Sequence, residues 1–342
     1  MIELNKEYKD KLKGIKFIDL FCGLGGFRLA LESFGAECVF SSDIDKNVSK
    51  TYFDNFNDNC LKDITKTEAV EMPSHNILCG GFPCQAFSIG GYKKGFDDER
   101  GVLFLDIIRI AKYHLPELLF LENVKGLVEH DEGKTFKIIV DCLEDLGYNV
   151  YTKVLNSKYF DVPQSRERIY FICIRQDIDN KTFEFPKETK INKTIKDILL
   201  SSDEIKENLF IDRERCHLNH KYTNNNLFDT EEKRLLVAGY NGIKDHNNNR
   251  IYYADGLFCT YTKSTGSTNN GGGIVLNNKV RRLQKREVMR LFGFPDSYKI
   301  DYSHYKICQQ AGNSVVVNVI QSIIKNLIDT KAIKSYHKFN IK

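Results

Sequence analysis

Up to about residue 180 the chain alternates between short apolar runs of β type and segments with helical spacing, and this alternation constrains the fold most. "IKFIDLF" reads as a strand, "FRLALESFG" as a helix closed by Gly35, "AECVFSSD" as a second strand and "HNILCGGF" as a third. The rhythm continues with a helix in "GVLFLDIIRIAKYH", a buried strand in "ELLFLENV", a helix ending at Gly147 and a strand in "RIYFICIR". Strands joined through helices pair in parallel and need cover on both faces. The expectation is an α/β fold with a doubly wound, mostly parallel, Rossmann-like sheet.

Near residue 180 the texture changes. "FEFPKETKINK" reads as a linker, and the stretches "TNNNLF", "DHNNNR" and "STGSTNNGGGIV" favour turns and exposed loops. From about residue 310, "AGNSVVVNVIQSIIKNLI" resumes a strong helical period and is expected to pack back on the first domain. Since 342 residues exceed the usual domain of roughly 100 to 200, we expect residues 1–185 and 305–342 to form one domain and 186–304 a smaller second one. No apolar run approaches the roughly 18 residues that span a bilayer, and "MIELNKEYKDKLKG" lacks the apolar stretch of a signal peptide, so a cytoplasmic location is expected. The ten cysteines are scattered singly, which points to reduced thiols. A net charge of +4 permits a polyanionic partner, and the basic run "KVRRLQKREVMR" could face one or be a plain solvated surface.

"FIDLFCGLGG" joins a strand to a helix through Gly23, Gly25 and Gly26, which lets backbone pass close to a ligand at the carboxyl edge of the sheet. Glycine following glycine directly departs from the dinucleotide spacing and leaves Phe27 and Arg28 where that fingerprint would continue. Asp43 follows at the end of the next strand, roughly 20 residues on, where a carboxylate can accept from a ribose diol. Asp63 could receive an adenine amino group. The plain alternative is that both aspartates cap helices.

"GGFPCQAFSIGG" holds Cys84 after Pro83, past a strand end, where α/β enzymes display reactive groups. A thiol acts as a nucleophile only as thiolate and needs help from its surroundings; a buried structural cysteine is the alternative. "LLFLENV" carries Glu122 and Asn123 to the end of the next strand, and a carboxyl emerging from an apolar strand is desolvated, which favours its keeping a proton. "QSRERIY" adds Gln164, Arg166 and Arg168, the last able to bond a carbonyl oxygen or simply to form an ion pair.

In this order behind "DLFCGLGG", Gly-Phe-Pro-Cys-Gln, Glu-Asn-Val, Gln-x-Arg-x-Arg and Gly-Asn-Ser-Val-Val resemble the motif series of the DNA cytosine-5 methyltransferases, over nearly the whole chain. The resemblance implies the class I S-adenosylmethionine-dependent methyltransferase fold with a smaller DNA-recognition domain and hinge at 186–304. It also implies S-adenosylmethionine as donor, S-adenosylhomocysteine as product, and a cytosine rotated out of duplex DNA. Cys84 would add to C6 of the base, Glu122 would protonate N3, and Arg168 would hold O2, while Asn123 and Pro83 position base and loop. No residue stands out as the base that removes the C5 proton.

For the donor, the likeness assigns Phe21, Ile44 and Leu103 to the faces of the adenine and adds Gly23, Leu24, Gly26, Asp43, Asp63 and Ile64. Asn313 and Ser314 would join from the chain's end. The loop from Gln85 to Gly101 would act as a lid, with Ser88, Arg100 and Arg166 on the DNA backbone.

Arg250, followed by "IY", resembles a guanine-reading arginine, which implies a GCGC target. The preceding "GIKDHNNN" and Gly90 depart from that pattern. "CHLNH" (216–220) lacks the second ligand pair of a structural zinc site, so no metal is expected. The remaining expectations are a monomer, no membrane partner, and a restriction endonuclease encoded nearby.

Overall fold

A computed structural model describes residues 2–4, 6–82, 102–218, 235–242, 245, 247–265, 271–277 and 279–334. The chain divides into two compact units. One comprises Glu3–Leu155, Glu167–Pro186 and Ile320–Lys342; the other comprises Met1–Ile2, Asn156–Arg166 and Lys187–Val319.

The first unit is built on β1 (Lys16–Leu20), β2 (Glu37–Ser42), β3 (Ile77–Gly81), β4 (Leu118–Val124), β5 (Tyr148–Asn156) and β6 (Glu167–Arg175). They form one sheet in the order β2-β1-β3-β4-β6-β5. The pairs β2–β1, β1–β3 and β3–β4 are parallel, while β6 runs antiparallel to β4. β1 and β4 are apolar along both faces, as strands covered by helices must be, apart from the buried Asp19 and the strand-end Glu122 and Asn123. Their connections carry α1 (Gly26–Glu32), α2 (Lys46–Phe56), α3 (Val102–His114) and α4 (Lys134–Asp145). The strand β5, "YNVYTKVLN", is an element that the alternation of apolar runs does not announce. It is half-buried along most of its length, and its mixed pattern reflects a place at the end of the sheet order.

One core cluster joins Ile18, Leu20, Leu78, Leu119, Leu121 and Phe171 of the strands to Ile107 and Ile110 of α3 and Ile139 and Leu143 of α4. Each such side chain contributes about 1.5–3 kcal/mol on burial, so the sheet edge they support is stiff. The final helix, α7 (Val317–Asp329), enters this unit from Ile320, where Gln321 Nε2 donates to Ser33 Oγ at 3.0 Å.

The second unit carries a sheet ordered β11-β10-β9-β8-β7, from β7 (Cys216–Leu218), β8 (Val237–Asn241), β9 (Arg250–Tyr253), β10 (Gly273–Leu276) and β11 (Lys279–Arg281). Its small core holds Ile211, Ala238, Ile251 and Val280, and it also contains α5 (Lys285–Leu291) and α6 (His304–Gly312). The segment 156–166 belongs here although the sequence runs it together with the first domain. Gln164 Nε2 donates to the Leu291 carbonyl at 3.0 Å, and Gln164 Oε1 accepts from the Tyr261 N–H at 2.9 Å.

Most cations of the basic run at 279–290 bond to groups within the protein. Arg281 makes a buried two-point ion pair with Glu287 at 2.7 and 2.8 Å. Lys285 Nζ donates to the carbonyls of Ile300 and Tyr302, Arg286 to those of Pro295 and Tyr298, and Arg290 pairs with Asp296.

Candidate active site

In a parallel sheet the carboxyl ends of the strands open on one edge, and the residues just past them form the crevice. Here β1 runs out into Phe21, β2 into Asp43, β3 into Phe82 and β4 through Glu122 and Asn123. Because β6 is antiparallel, its first residues arrive at the same edge, with Arg168 opposite Val124. Thus strand direction brings Arg168 to Glu122, and Arg168 Nε lies 3.1 Å from Glu122 Oε1. Glu122 is 8% exposed and Asn123 2%, so both polar groups are nearly removed from water.

Asn123 spends its amide on the backbone. Its Nδ2 donates to the Phe82 carbonyl at 3.0 Å, and its Oδ1 accepts from the Val124 N–H at 2.8 Å. It therefore anchors the last described residue before Pro83 and Cys84. Gly80 lets β3 lie close to β1 at this edge, since a Cβ there would come within 2.7 Å of the Leu20 carbonyl oxygen. Pro83, Cys84, Ser88 and Arg100, with the Gln85–Gly101 loop, lie outside the described residues.

At the β1 end, Phe21 (φ 54°) and Gly23 (φ 52°) are left-handed, and Gly25 (φ 72°) precedes α1. A Cβ on Gly25 would meet the Phe56 ring at 2.5 Å, so only glycine allows this turn beside α2. Leu24 and Gly26 are buried beneath the turn. Asp43 accepts from the Gly23 N–H at 3.0 Å and from the Asp45 N–H at 2.9 Å, which ties the end of β2 to the glycine turn. Burial pushes the Asp43 carboxyl above its ordinary range, against the pull of these N–H donors. The helix cap is Asp45, whose side chain accepts from the Asn47 N–H; Asp43 is not the cap.

Ile44, beside Asp43, is 72% exposed, which leaves its aliphatic side chain uncovered at this edge. The segment bearing Asp63 runs alongside: the Asp43 N–H donates to the Cys60 carbonyl and the Lys62 N–H to the Asp43 carbonyl. Asp63 Oδ1 accepts from the Thr65 N–H and hydroxyl at 3.1 and 2.7 Å, and these bonds hold its carboxyl below the usual range. Ile64 lies in the core, and the half-buried Phe21 and Leu103 pack against it. A glycine cradle, a strand-end carboxylate and an uncovered aliphatic face suit a nucleoside, so these residues fit the adenosine part of a methyl donor.

Phe27 and Arg28, which continue the glycine turn, are internal. Phe27 packs edge-on against Phe120, and Arg28 bonds Glu32, Asp58 and Tyr52 while its guanidinium lies 4.6 Å above the Phe56 ring centre. Arg109 escaped the sequence reading, although Asp106 and Arg109 at a helical spacing of three signal an ion pair on one face.

In the second unit, Ser314 is buried and Asn313 exposed at the end of α6. The expectation that Arg166 meets DNA fails on burial: it is 4% exposed, its guanidinium donates to the carbonyls of Tyr261, Gly312 and Ser314, and it lies 5.2 Å over the Phe292 ring centre. It braces the interior. Arg250 opens β9, one-third exposed, its guanidinium forked against Asp245 at 2.8 and 3.3 Å. No group of residues able to hold a metal ion occurs among the described residues, and no described helix is long and apolar enough to cross a membrane.

A mixed α/β sheet with a glycine turn and acidic groups at its carboxyl edge defines a class I methyltransferase fold. Among solved structures, the Entamoeba histolytica methyltransferase EhMeth superposes with a TM-score of 0.69 at 22% identity, covering 92% of this chain and 98% of that one. A Spodoptera frugiperda DNMT2 variant gives 0.68 at 20% identity, over 92% and 99%. The family model described as C-5 cytosine-specific DNA methylase matches residues 15–329, and the chain belongs to that family. Type II methyltransferase M.HhaI of Haemophilus parahaemolyticus is 44% identical over 96% of this chain and 99% of its own length. Type II methyltransferase M.HpaII of Haemophilus parainfluenzae is 38% identical over 96% and 92%.

Proposed function

We propose that this enzyme methylates C5 of a cytosine rotated out of duplex DNA, using S-adenosylmethionine, through a transient bond between Cys84 Sγ and C6 of the base. The observation that carries the reading is the pairing of Glu122 with Arg168 at the strand-end edge from which the chain continues to Cys84. C5 of cytosine is a weak nucleophile. Addition of the Cys84 thiolate to C6, with Glu122, protonated from solvent as the base displaces it from Arg168, delivering that proton to N3, turns C5 into an enamine carbon. Arg168 holds O2 and balances the charge that gathers there. The bound donor supplies a methyl group on a cationic sulfur, which C5 takes up, leaving S-adenosylhomocysteine. A base then removes the C5 proton, the electron pair reforms the C5–C6 double bond and expels Cys84 as thiolate, and the N3 proton returns to Glu122. Asn123 and Pro83 position the base and the loop.

For the donor, the backbone of Gly23, Leu24 and Gly26 cradles the chain end, Asp43 takes the ribose diol, and Asp63 takes the adenine amino group. Phe21, Ile44 and Leu103 flank the ring, and the family likeness adds Ile64, Asn313 and Ser314 to the donor-binding residues. The second unit reads the target, with Arg250 on a guanine, and Ser88 and Arg100 of the 85–101 loop take phosphate; the Arg166 donors are committed to carbonyls. The 44% identity to the Type II methyltransferase M.HhaI supports a role as the modification half of a restriction-modification system. A GCGC target, a monomer, a cytoplasmic location and an endonuclease encoded nearby complete the proposal.

Bisulfite sequencing of DNA from cells expressing the protein tests this. Methylcytosine is expected in one recurring context, with none from a Cys84→Ser variant. Label from the donor entering tRNA and not duplex DNA, or full activity in Cys84→Ser, would overturn the proposal.

A further inference from the structure

The turn that presents Asp63 is gripped from behind. Arg109, on α3, donates from Nη2 to the Ile64 carbonyl at 2.9 Å. The same guanidinium is held by Asp106 Oδ1, which accepts from Nε at 3.2 Å and from Nη2 at 2.9 Å. Asp106 is 7% exposed, and its Oδ2 has no hydrogen-bond partner among the described residues. A buried carboxylate of this kind holds its cation firmly, since leaving it unpaired is costly. One turn further along α3, His114 Nε2 lies 2.8 Å from the Ala69 carbonyl, so the helix is fastened to the 64–69 segment at two points.

The Ile64 carbonyl and the Thr65 N–H are two ends of one planar peptide group. Arg109 fixes the oxygen end, and the hydrogen end donates to Asp63 Oδ1 at 3.1 Å. Fixing the plane therefore fixes the direction in which the Asp63 carboxylate points, and a hydrogen bond on the carbonyl also polarises the N–H. Taken with the proposed donor site, on which this inference rests, we propose that Arg109 is a positioning residue for recognition of the adenine amino group. It acts through the Ile64–Thr65 peptide and Asp63 without touching the donor.

The test compares binding of S-adenosylhomocysteine with that of S-inosylhomocysteine, in which an oxygen replaces the amino group, by titration calorimetry on the full chain. A carboxylate acceptor turned toward that position favours the amino compound by about tenfold, the scale of one hydrogen bond to a charged group. Arg109→Ala is expected to bring the preference below about threefold, chiefly by weakening S-adenosylhomocysteine. Asp106→Asn, which keeps the helix and its core contacts, is expected to move the same way and carries the test if Arg109→Ala does not fold. A merely structural role would weaken both ligands alike. Unchanged preference in the variants or parallel weakening of both ligands would overturn the inference while leaving the donor site standing; a wild type that binds both equally would overturn it and remove Asp63 from that site. A wild type that binds neither would remove the donor site as well.

Discussion

Arg168 and Glu122 form an ion pair across the antiparallel β4–β6 junction, Nε to Oε1 at 3.1 Å, although they are not direct partners in the register. Arg168 stands opposite Val124, so its side chain reaches diagonally along β4. We expect Arg168→Ala to lower kcat/KM for methyl transfer by roughly 10²–10³, the usual cost of losing one preorganised electrostatic contact. Initial rates of labelled methyl incorporation into duplex DNA measure this, and a loss under about threefold would contradict the role.

Asp19 is fully buried in β1, and its Oδ2 has no partner among the described residues. Burial, opposed in part by Arg28, pushes its carboxyl well above the ordinary range. A carboxyl raised on folding binds more protons in the native than in the unfolded state between the two pKa values. Stability is therefore full below the unfolded value and declines as pH rises through the native one. Asp19→Asn lacks that decline, so its advantage over wild type in urea midpoint should widen from acidic toward neutral pH. Parallel midpoints across that range would sink the assignment.

Arg281 and Glu287 are 4% and 0% exposed in their side chains, and Glu287 also accepts from the Leu200 and Gln284 N–H groups. Removing one partner strands a buried charge, which costs about 3–5 kcal/mol. Arg281→Ala is expected to lose that much in denaturant unfolding. An unchanged midpoint would show that the pair contributes nothing.

Arg250 is held in a fork by Asp245, which orients the guanidinium. On the proposed reading, Arg250→Ala relaxes discrimination at one guanine by about 1–3 kcal/mol while other positions keep theirs. Methylation rates on duplexes substituted at each site position decide this. Uniform weakening at every position would identify Arg250 as a backbone contact.

Much of the site was legible in the chain itself because local chemistry writes it there. Apolar runs and glycine turns mark the strand ends of a sheet packed on both faces, and a parallel sheet must deliver those ends to one edge. Thus the glycine turn, Asp43, Glu122 and Asn123 are placed at that edge by the chain alone. Tertiary structure alone decided what each cation does, since a guanidinium looks the same in sequence whether it is buried or free. Arg166 and Arg168 are two residues apart, yet one is committed to carbonyls of the second unit's interior and the other meets Glu122. The direction of β6 and the grip of Arg109 on the Ile64 carbonyl are likewise set by packing between distant segments, which leaves no periodic trace in the chain.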